Sequence, residues 1–129
     1  MALMEEGLNP ERRKHPRFNI DLPVKYNSRS KLFSKYGRAV NASEGGLLVR
    51  LPEEMAVGQR IALRLFYHSR SELNIIAPSV EVVWTGIHLK NDFTWDYRTG
   101  VRFVDIPPKD MIKLRNFLMS FAQEPSYSS

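Results

Sequence analysis

Apolar and polar residues alternate along most of this chain with a period of two. In the stretch 18–26, FNIDLPVKY, the apolar side chains fall on one face of an extended backbone and most polar ones fall on the other. Alternation of this kind predicts a half-buried β-strand. The stretches 45–51 and 60–67 alternate in the same way, so we predict three strands that each turn one face toward a core. Their apolar positions are Leu47, Val49, Leu51, Ile61, Leu63, Leu65 and Tyr67.

Three further stretches are rich in β-branched or alternating residues. The stretch 31–43 predicts a weaker strand, and 73–89 predicts one bent strand or two short ones because Pro78 interrupts it. Residues 90–100 are polar and aromatic, which indicates a turn region, and 101–106 predicts the last strand. The chain is therefore expected to contain six or seven short strands.

The period of the pattern changes after Pro107 and Pro108. Apolar residues then recur at the spacing of an amphipathic helix of about 14 residues. Proline in the first turn and Asp110 near the start are typical of a helix N-terminus. The predicted apolar stripe consists of Met111, Leu114, Leu118 and Phe121, widened by Ile112 and Phe117.

These elements together predict the fold class. Many short strands separated by Gly and Pro turns favour a barrel or a sandwich, and one helix can bury its stripe over an opening or flank of a barrel. We predict a mainly β protein, a six- to seven-stranded antiparallel Greek-key-type β-barrel with a C-terminal α-helix. The 129 residues suit a single domain. We expect a flexible N-terminus over 1–10, one domain over 11–122 and a flexible tail over 123–129.

Composition excludes several classes of function. The chain has no cysteine, which removes disulfides, thiolate zinc sites and cysteine nucleophiles, and fits a reducing compartment. The histidines at 15, 68 and 88 show no ligand spacing, and no known catalytic motif is present, so we expect neither a metal site nor an enzyme. No apolar run approaches the roughly 20 residues of a membrane span. The first ten residues lack a basic signal-peptide region, so we expect a cytoplasmic protein without membrane insertion.

Positive charge is concentrated at one end of the chain. The formal net charge is +5, and the stretch 11–17, ERRKHPR, holds four basic residues. A basic excess suits an anionic ligand, a nucleic acid or a membrane surface without choosing among them.

A second short stretch, 41–46 or NASEGG, separates two predicted strands. Asn and Ser form turns through bonds to the local backbone, and the two glycines allow a close approach to the backbone. By itself this stretch predicts a hairpin turn.

The two stretches together resemble the PilZ domain family, whose pattern is RxxxR followed by (D/N)xSxxG. The resemblance extends over nearly the whole chain and includes GVRFVDI in the last predicted strand. It implies a β-barrel that binds the bacterial second messenger cyclic di-GMP as its ligand, with no cofactor. The residues that match the two motifs are Arg13, Arg17, Asn41, Ser43 and Gly46.

The resemblance also implies a role for each matching residue. Arginine matches the Hoogsteen edge of guanine, or phosphate oxygens, with two parallel hydrogen bonds, so Arg13 and Arg17 are expected to hold the ligand. Asn41 is expected to bind a guanine edge through its amide. Ser43 either donates to a phosphate or holds the turn, and Gly46 keeps the backbone clear of the base.

Two more ligand-binding residues follow from the resemblance. An arginine immediately before RxxxR is associated in this family with an intercalated pair of ligand molecules, so Arg12 is expected to contact the second guanine and to allow two molecules per chain. Trp84 is expected either beside the ligand or in the core or at an edge. Binding would order the N-terminal arginine segment, and the changed surface would be recognised by an unidentified downstream protein.

Two alternatives to a free-standing cyclic di-GMP receptor remain. One is a barrel that binds single-stranded nucleic acid by stacking bases on its aromatic residues, which the concentration of basic residues at one terminus disfavours. The other is a PilZ-like adaptor that docks to proteins without binding a nucleotide, which the complete pair of motifs disfavours. The sequence does not choose among motility, pili and exopolysaccharide as the controlled process.

Overall fold

Seven antiparallel β-strands form one sheet, and a single α-helix follows them in the part of the chain that the structure describes. The structure is a computed structural model, and it describes residues 16–27 and 34–122. The expected flexible segments, 1–10 and 123–129, lie outside the described residues. The elements are β1 (Phe18–Asn27), β2 (Ser34–Ala42), β3 (Gly46–Leu51), β4 (Arg60–Ser69), β5 (Glu72–Ile76), β6 (Ser79–Leu89), β7 (Trp95–Asp105) and α1 (Pro108–Ala122).

The sheet closes on itself as a barrel. The strand order is β1-β2-β3-β7-β6-β4-β5, and β1 also pairs with β4. Six strands therefore form a ring, and β5 extends the sheet from β4. The predicted mainly β class, the antiparallel barrel and the C-terminal helix are confirmed. Closure reduces the open sheet edges that would otherwise invite aggregation, and β5 remains at the end of the strand order.

The core consists of the inward-facing residues of the alternating strands. Every apolar position predicted in 45–51 and 60–67 is buried, as are Val24 and Tyr26 of β1. The hydroxyl group of Tyr26 donates a hydrogen bond of 3.0 Å to Oε2 of Glu53. Burial, and then the hydrogen bond to this carboxylate, raises the pKa of Tyr26. The neutral phenol therefore remains bonded in the core at physiological pH.

The predicted bend at Pro78 separates two strands. β5 and β6 both pair with β4, and the carbonyl oxygen of Pro78 accepts a hydrogen bond of 3.0 Å from the amide of Leu63 between them. Proline lacks the N–H that a continuous ladder needs, and this explains the interruption. Of the two sequence-based alternatives, two strands rather than one is correct.

The last strand begins earlier than its sequence indicated. We predicted a turn over 90–100, but β7 starts at Trp95, so that prediction is wrong beyond residue 94. The turn itself is closed by a hydrogen bond of 2.7 Å from the amide of Lys90 to the carbonyl oxygen of Thr94. Two of the polar residues that suggested a turn, Asp96 and Arg98, lie on the outer face of the strand, where Asp96 forms an ion pair with Arg50, whereas Thr99 is buried.

The helix packs against the barrel with a narrower stripe than predicted. Leu114 and Leu118 are buried, while Ile112 is 58% exposed, so its predicted place in the stripe is wrong. The first turn is fixed because Oδ2 of Asp110, which is buried, accepts a hydrogen bond of 3.0 Å from the amide of Ala77. The helix is thereby attached to the link between β5 and β6.

Aromatic contacts fix the other end of the helix. The ring of Phe117 lies 4.9 Å from that of Tyr67 and 5.1 Å from that of Phe121. Phe121 stacks on Phe18, the first residue of β1, with ring centroids 6.1 Å apart. No helix in the described part of the chain has the length and apolar character that crossing a bilayer requires.

Two buried hydroxyl groups generate a stability prediction. Thr85 and Thr99 are direct cross-strand partners in β6 and β7, and neither Oγ1 has a hydrogen-bond partner among the described residues. A buried hydroxyl without a partner costs about 1–3 kcal/mol. We expect Thr99→Val, which replaces the hydroxyl with a methyl of similar size, to raise the free energy of unfolding by about 1 kcal/mol, measured by urea denaturation.

The matched control is Ser43→Ala, because the hydroxyl of Ser43 is also buried but accepts a hydrogen bond. This variant is expected to lose about 1 kcal/mol. A loss of stability in Thr99→Val would contradict the interpretation and would show that its hydroxyl has a partner.

Candidate ligand-binding site

Residues from five strands lie side by side across the outer face of the barrel. Each of these residues is the cross-strand partner of the next one in the set. Their neighbours in sequence, such as Ala42, Leu47 and Val101, are buried in the core, so the set itself faces outward. Neighbouring strands are about 4.8 Å apart, so the row extends over roughly 19 Å measured along the curved sheet. We call this set the transverse row. It consists of Asn19, Asn41, Leu48, Gly100 and Trp84.

Three β-bulges coincide with the transverse row. The register shifts occur between Asn19 and Leu22, between Ala39 and Asn41, and between Val82 and Trp84. A bulge inserts an extra residue, bends its strand and reorients nearby side chains, and bulges are common beside functional sites. Each shift is bounded by a residue of the row. The strands are therefore irregular at the level of the row.

A hydrogen bond joins the two motifs that the sequence keeps apart. Nη1 of Arg17, immediately before β1, donates to Oδ1 of Asn41 at 3.0 Å. Nδ2 of Asn41 in turn donates to Oδ1 of Asn19 at 3.4 Å. Arg17 is exposed, so a ligand on the outer face can reach its guanidinium. The second arginine of RxxxR and the first residue of the second motif therefore share one site.

Ser43 holds the turn between β2 and β3. It is buried, its Oγ accepts a hydrogen bond of 3.0 Å from the amide of Gly45, and its own amide donates to the carbonyl oxygen of Gly46 at 3.0 Å. The sequence left open whether Ser43 holds the turn or donates to a phosphate. The structure shows the first of these contacts, and a phosphate contact stays a prediction.

Gly46 is required by the neighbouring strand. A Cβ at this position would collide with the carbonyl oxygen of Val101 on β7. The next carbonyl back, that of Gly45, accepts a hydrogen bond of 3.0 Å from the amide of Phe103. The last glycine of the second motif thus lets the turn approach β7 closely. This contact is a reason for glycine at position 46 in addition to the expected one, which was to keep the backbone clear of a guanine base.

Trp84 stands on the outer face at one end of the row. It is the cross-strand partner of Gly100, and its indole ring lies over that glycine so closely that a Cβ on Gly100 would collide with the ring. The side chain is 43% exposed, so Trp84 is not a core residue. An exposed indole face beside hydrogen-bonding groups can stack on a planar base.

Arg102 lies close to the row and was not among the predicted site residues. It is opposite Gly46 on one side and Glu81 on the other, and it forms an ion pair with Glu81. Asn19, which accepts from Asn41, was also missed. The signal for both was their place on the polar face of an alternating strand, although that signal does not distinguish a site residue from any solvated one.

Contacts with α1 fix the position of the site on the barrel. Phe18, next to Arg17, stacks on Phe121 near the end of the helix. Nε of Arg115 donates to Oε1 of Glu44 in the β2–β3 turn at 2.9 Å. The segment entering β1 and the turn that follows Asn41 are therefore both held against the same helix.

The remaining predicted site residues, Arg12 and Arg13, lie outside the described residues, and their roles stay predictions. Within residues 16–27 and 34–122, no group of three or more His, Asp or Glu side chains is arranged to hold a metal ion.

Comparison with known proteins identifies the family. A model of the PilZ domain family matches residues 11–120. No curated protein gives a significant match. Among solved structures, the PilZ domain of YcgR from Escherichia coli with c-di-GMP superposes with a TM-score of 0.70 at 16% identity, covering 88% of this chain and 93% of that one.

Two longer proteins contain a similar fold. The inhibitor of motility MotI/DgrA from Bacillus subtilis gives a TM-score of 0.71 at 16% identity, with 88% of this chain and 53% of that chain covered. PlzA from Borreliella burgdorferi, in complex with c-di-GMP, gives 0.61 at 12% identity, with 99% and 59% covered. The chain therefore spans only about half the length of each. At these identities the likeness shows the fold.

The contact between Trp84 and Gly100 can be tested directly. We expect Gly100→Ala to displace the indole ring, because the added methyl would occupy its space. The displacement should shift the fluorescence emission of Trp84, measured with Trp95→Phe as the background so that Trp84 is the single emitter.

Gly86→Ala is the matched control, since a Cβ there would meet Trp84 at an ordinary contact distance of 3.9 Å. An emission spectrum unchanged by Gly100→Ala, or changed equally by Gly86→Ala, would contradict the packing of Trp84 over Gly100.

Proposed function

Because the chain belongs to the PilZ domain family, we propose that it is a receptor for cyclic di-GMP and binds this ligand on the transverse row. The observation that carries the proposal is the hydrogen bond from Arg17 to Asn41, which joins the two motifs on the outer face of the barrel. The resemblance that implied this ligand rests on those same motifs.

The chemistry of the row suits a ligand with two guanines and two phosphates. Arg17 offers a planar set of donors that matches either guanine O6 and N7 or phosphate oxygens. Asn41 carries both a donor and an acceptor for a guanine edge. Trp84 presents an exposed indole on the same face for stacking. The ligand would compete with Asn41 for Arg17, so binding would rearrange the hydrogen bond that joins the two motifs.

The similar structures support this proposal. Two of them, the YcgR domain and PlzA, are complexes with c-di-GMP. The YcgR domain superposes over 93% of its own length and 88% of this chain. A binding role fits the row, because it contains hydrogen-bonding and stacking groups.

The proposed signal is the ordering of the arginine segment, residues 11–17, around the ligand. Fixing the backbone costs about 1–2 kcal/mol per residue, and each charge-assisted hydrogen bond returns about 1.5–3 kcal/mol. Several arginines must therefore act together. The ordered segment would present a new surface to a downstream protein, which is an order–disorder switch.

Calorimetric titration of cyclic di-GMP tests the site. We expect saturable binding by the wild-type chain and loss of at least about a hundredfold in affinity for Arg13→Ala/Arg17→Ala, because two sets of charge-assisted hydrogen bonds are removed. The control is Arg64→Ala/Arg70→Ala, which removes the same charge from exposed arginines on β4 and in the turn that follows it.

The stoichiometry of the same titration tests Arg12. Two ligand molecules per wild-type chain and one per Arg12→Ala chain are expected if Arg12 holds the second molecule. The absence of binding by the wild-type chain would overturn the receptor proposal and favour an adaptor that docks to proteins without a nucleotide. Equal losses in the two double variants would indicate general charge attraction, as to an oligonucleotide.

Hydrogen exchange tests the proposed switch separately. Saturating cyclic di-GMP is expected to slow amide exchange in residues 11–17, because ordering of this segment around the ligand would protect its amides. Exchange in β5, which contributes nothing to the row, serves as the internal control. Binding without added protection in 11–17 would retain the receptor and exclude this mechanism of signalling.

A further inference from the structure

The hairpin formed by β6 and β7 continues beyond the barrel as a two-stranded arm, residues 86–97. The pairing of β7 with β3 ends at Tyr97 opposite Leu51, whereas β6 and β7 continue to pair as far as Leu89 opposite Trp95. On the other side of β6, the pairing with β4 stops at Glu81. No third described strand pairs with the outer part of the arm. A two-stranded ribbon of this kind is only marginally stable in water unless something packs on it.

One face of the arm is apolar and uncovered. Ile87 and Leu89 follow Thr85 on β6 at intervals of two, so they continue the inward-facing side of the barrel past its end. Trp95 lies opposite Leu89 on the same face. The sequence of the arm alternates like that of a core strand, although no described residues pack on its apolar side. The exposed fractions of these three side chains and of Phe93 lie between 60% and 82%.

The other face of the arm is polar and internally paired. Nδ1 of His88 lies 3.1 Å from Oδ1 of Asp96, and Oδ2 of Asp96 accepts from Nε of Arg50 at 3.0 Å. The strands of the arm are thus held in place by contacts on one side. The unsatisfied surface is confined to the side with the large apolar residues.

Phe93 at the tip of the arm adds to this surface at a conformational cost. Its φ is 67°, in the left-handed region that glycine and asparagine adopt most easily. A bulky residue in this conformation is uncommon and is often associated with function. The backbone conformation of this turn would favour glycine or asparagine at position 93. The presence of an aromatic ring instead suits a contact outside the turn.

We propose that the apolar face of the arm, residues Ile87, Leu89 and Trp95, together with Phe93 at the tip, is the interface for a second copy of this chain, with two arms packed face to face about a two-fold axis. The inference goes beyond the binding of a nucleotide. It requires no residue of the transverse row, and the arm leaves the barrel at the Leu51 end of β3, away from the β2–β3 turn at Gly46.

Charge favours a second copy as the occupant. The apolar face carries no charge, and the arm holds one lysine and two aspartates in a chain whose net charge is +5. Two arms can therefore meet without the repulsion between like charges that two basic surfaces would experience. A nucleic acid or an anionic membrane would instead be attracted to the basic remainder of the chain. A closed two-fold contact uses the same patch on both subunits.

The size of the patch favours a weak dimer. The four large, mostly exposed apolar side chains amount to an area on the order of 500 Å² per copy. Single exposed apolar residues are common on protein surfaces, but a patch of this size is often a binding surface. Two copies would bury about 1,000 Å², which is at the low end of specific interfaces. Association in the micromolar range is therefore expected.

Sedimentation of the full chain over a concentration series tests the interface. The wild-type chain is expected to pass from monomer to dimer as its concentration rises from about 1 to about 500 μM. Ile87→Lys should weaken dimerisation at least about tenfold, because it places like charges in the contact. The control is Ile112→Lys, an equally apolar and similarly exposed position on α1, which should leave the dimer unchanged. Circular dichroism verifies that each variant is folded.

Cross-linking gives a second test that does not depend on a destabilising charge. The chain has no cysteine, so Leu89→Cys introduces a single thiol on the apolar face. Mild oxidation should join two Leu89→Cys chains much faster than two Met119→Cys chains, whose thiol would be similarly exposed but on α1. A wild-type chain that stays monomeric throughout the series, or equal cross-linking of the two cysteine variants, would overturn the proposal.

Discussion

The antiparallel pairing of β1 with β4 is the constraint on which the rest of the structure depends. It is short, with three residue pairs, yet it closes six strands into a ring. Two of the β1 residues in these pairs, Val24 and Tyr26, are buried in the core, so burial of apolar surface stabilises the closure together with the ladder hydrogen bonds. The start of β1 is paired with β2, with Phe18 opposite Ala42 and Asn19 opposite Asn41, and this pairing places Arg17 beside Asn41. An open sheet would leave β1 free at an edge.

The three bulges show how a closed barrel can present a polar site without loss of its core. In a regular strand the side-chain period is strictly two, so a shift of one residue would turn core residues outward. A bulge absorbs one residue locally and restores the register on either side. At Val82 and Trp84 this leaves Val82 in the core while Trp84 lies over Gly100. The irregular part of the sheet is thus restricted to the level of the row.

Alternation and helical periodicity were sufficient to predict most elements and their buried faces. This is because burial on one side of a strand or helix requires apolar residues at the period of that element, and the period is visible in the sequence. The start of β7 was missed because Asp96 and Arg98 are polar residues on its outer face, and their pairing partners are distant in sequence. Ile112 was misplaced because the helical period alone does not fix the width of a contact.

In the candidate site, too, the features that local sequence patterns specify were predicted, and those that depend on contacts between distant residues were not. The turn at Ser43 and the two motifs are local patterns, and the sequence indicated them. The contact of Arg17 with Asn41 joins residues 24 positions apart, and the position of Trp84 over Gly100 depends on the register of β6 against β7. No local pattern specifies that register. Asn19 and Arg102 were not among the predicted site residues for this reason, since a polar residue on an outer face comes close to a site only through its cross-strand neighbours.

The two surfaces of the β6–β7 hairpin differ in what they require. Trp84, Gly86 and His88 point to the side of the transverse row, while Thr85, Ile87 and Leu89 point to the opposite side. The outer side is satisfied by hydrogen bonds and water, whereas the apolar side beyond the barrel needs a partner. A ligand that contacts Trp84 can change the conformation of the arm only if β6 has two alternative conformations and the ligand binds them with different affinity. Because one strand carries both surfaces, such a difference would have to arise from a change in the backbone of β6, and the bulge at Val82 and Trp84 is the place where that backbone already departs from regular pairing.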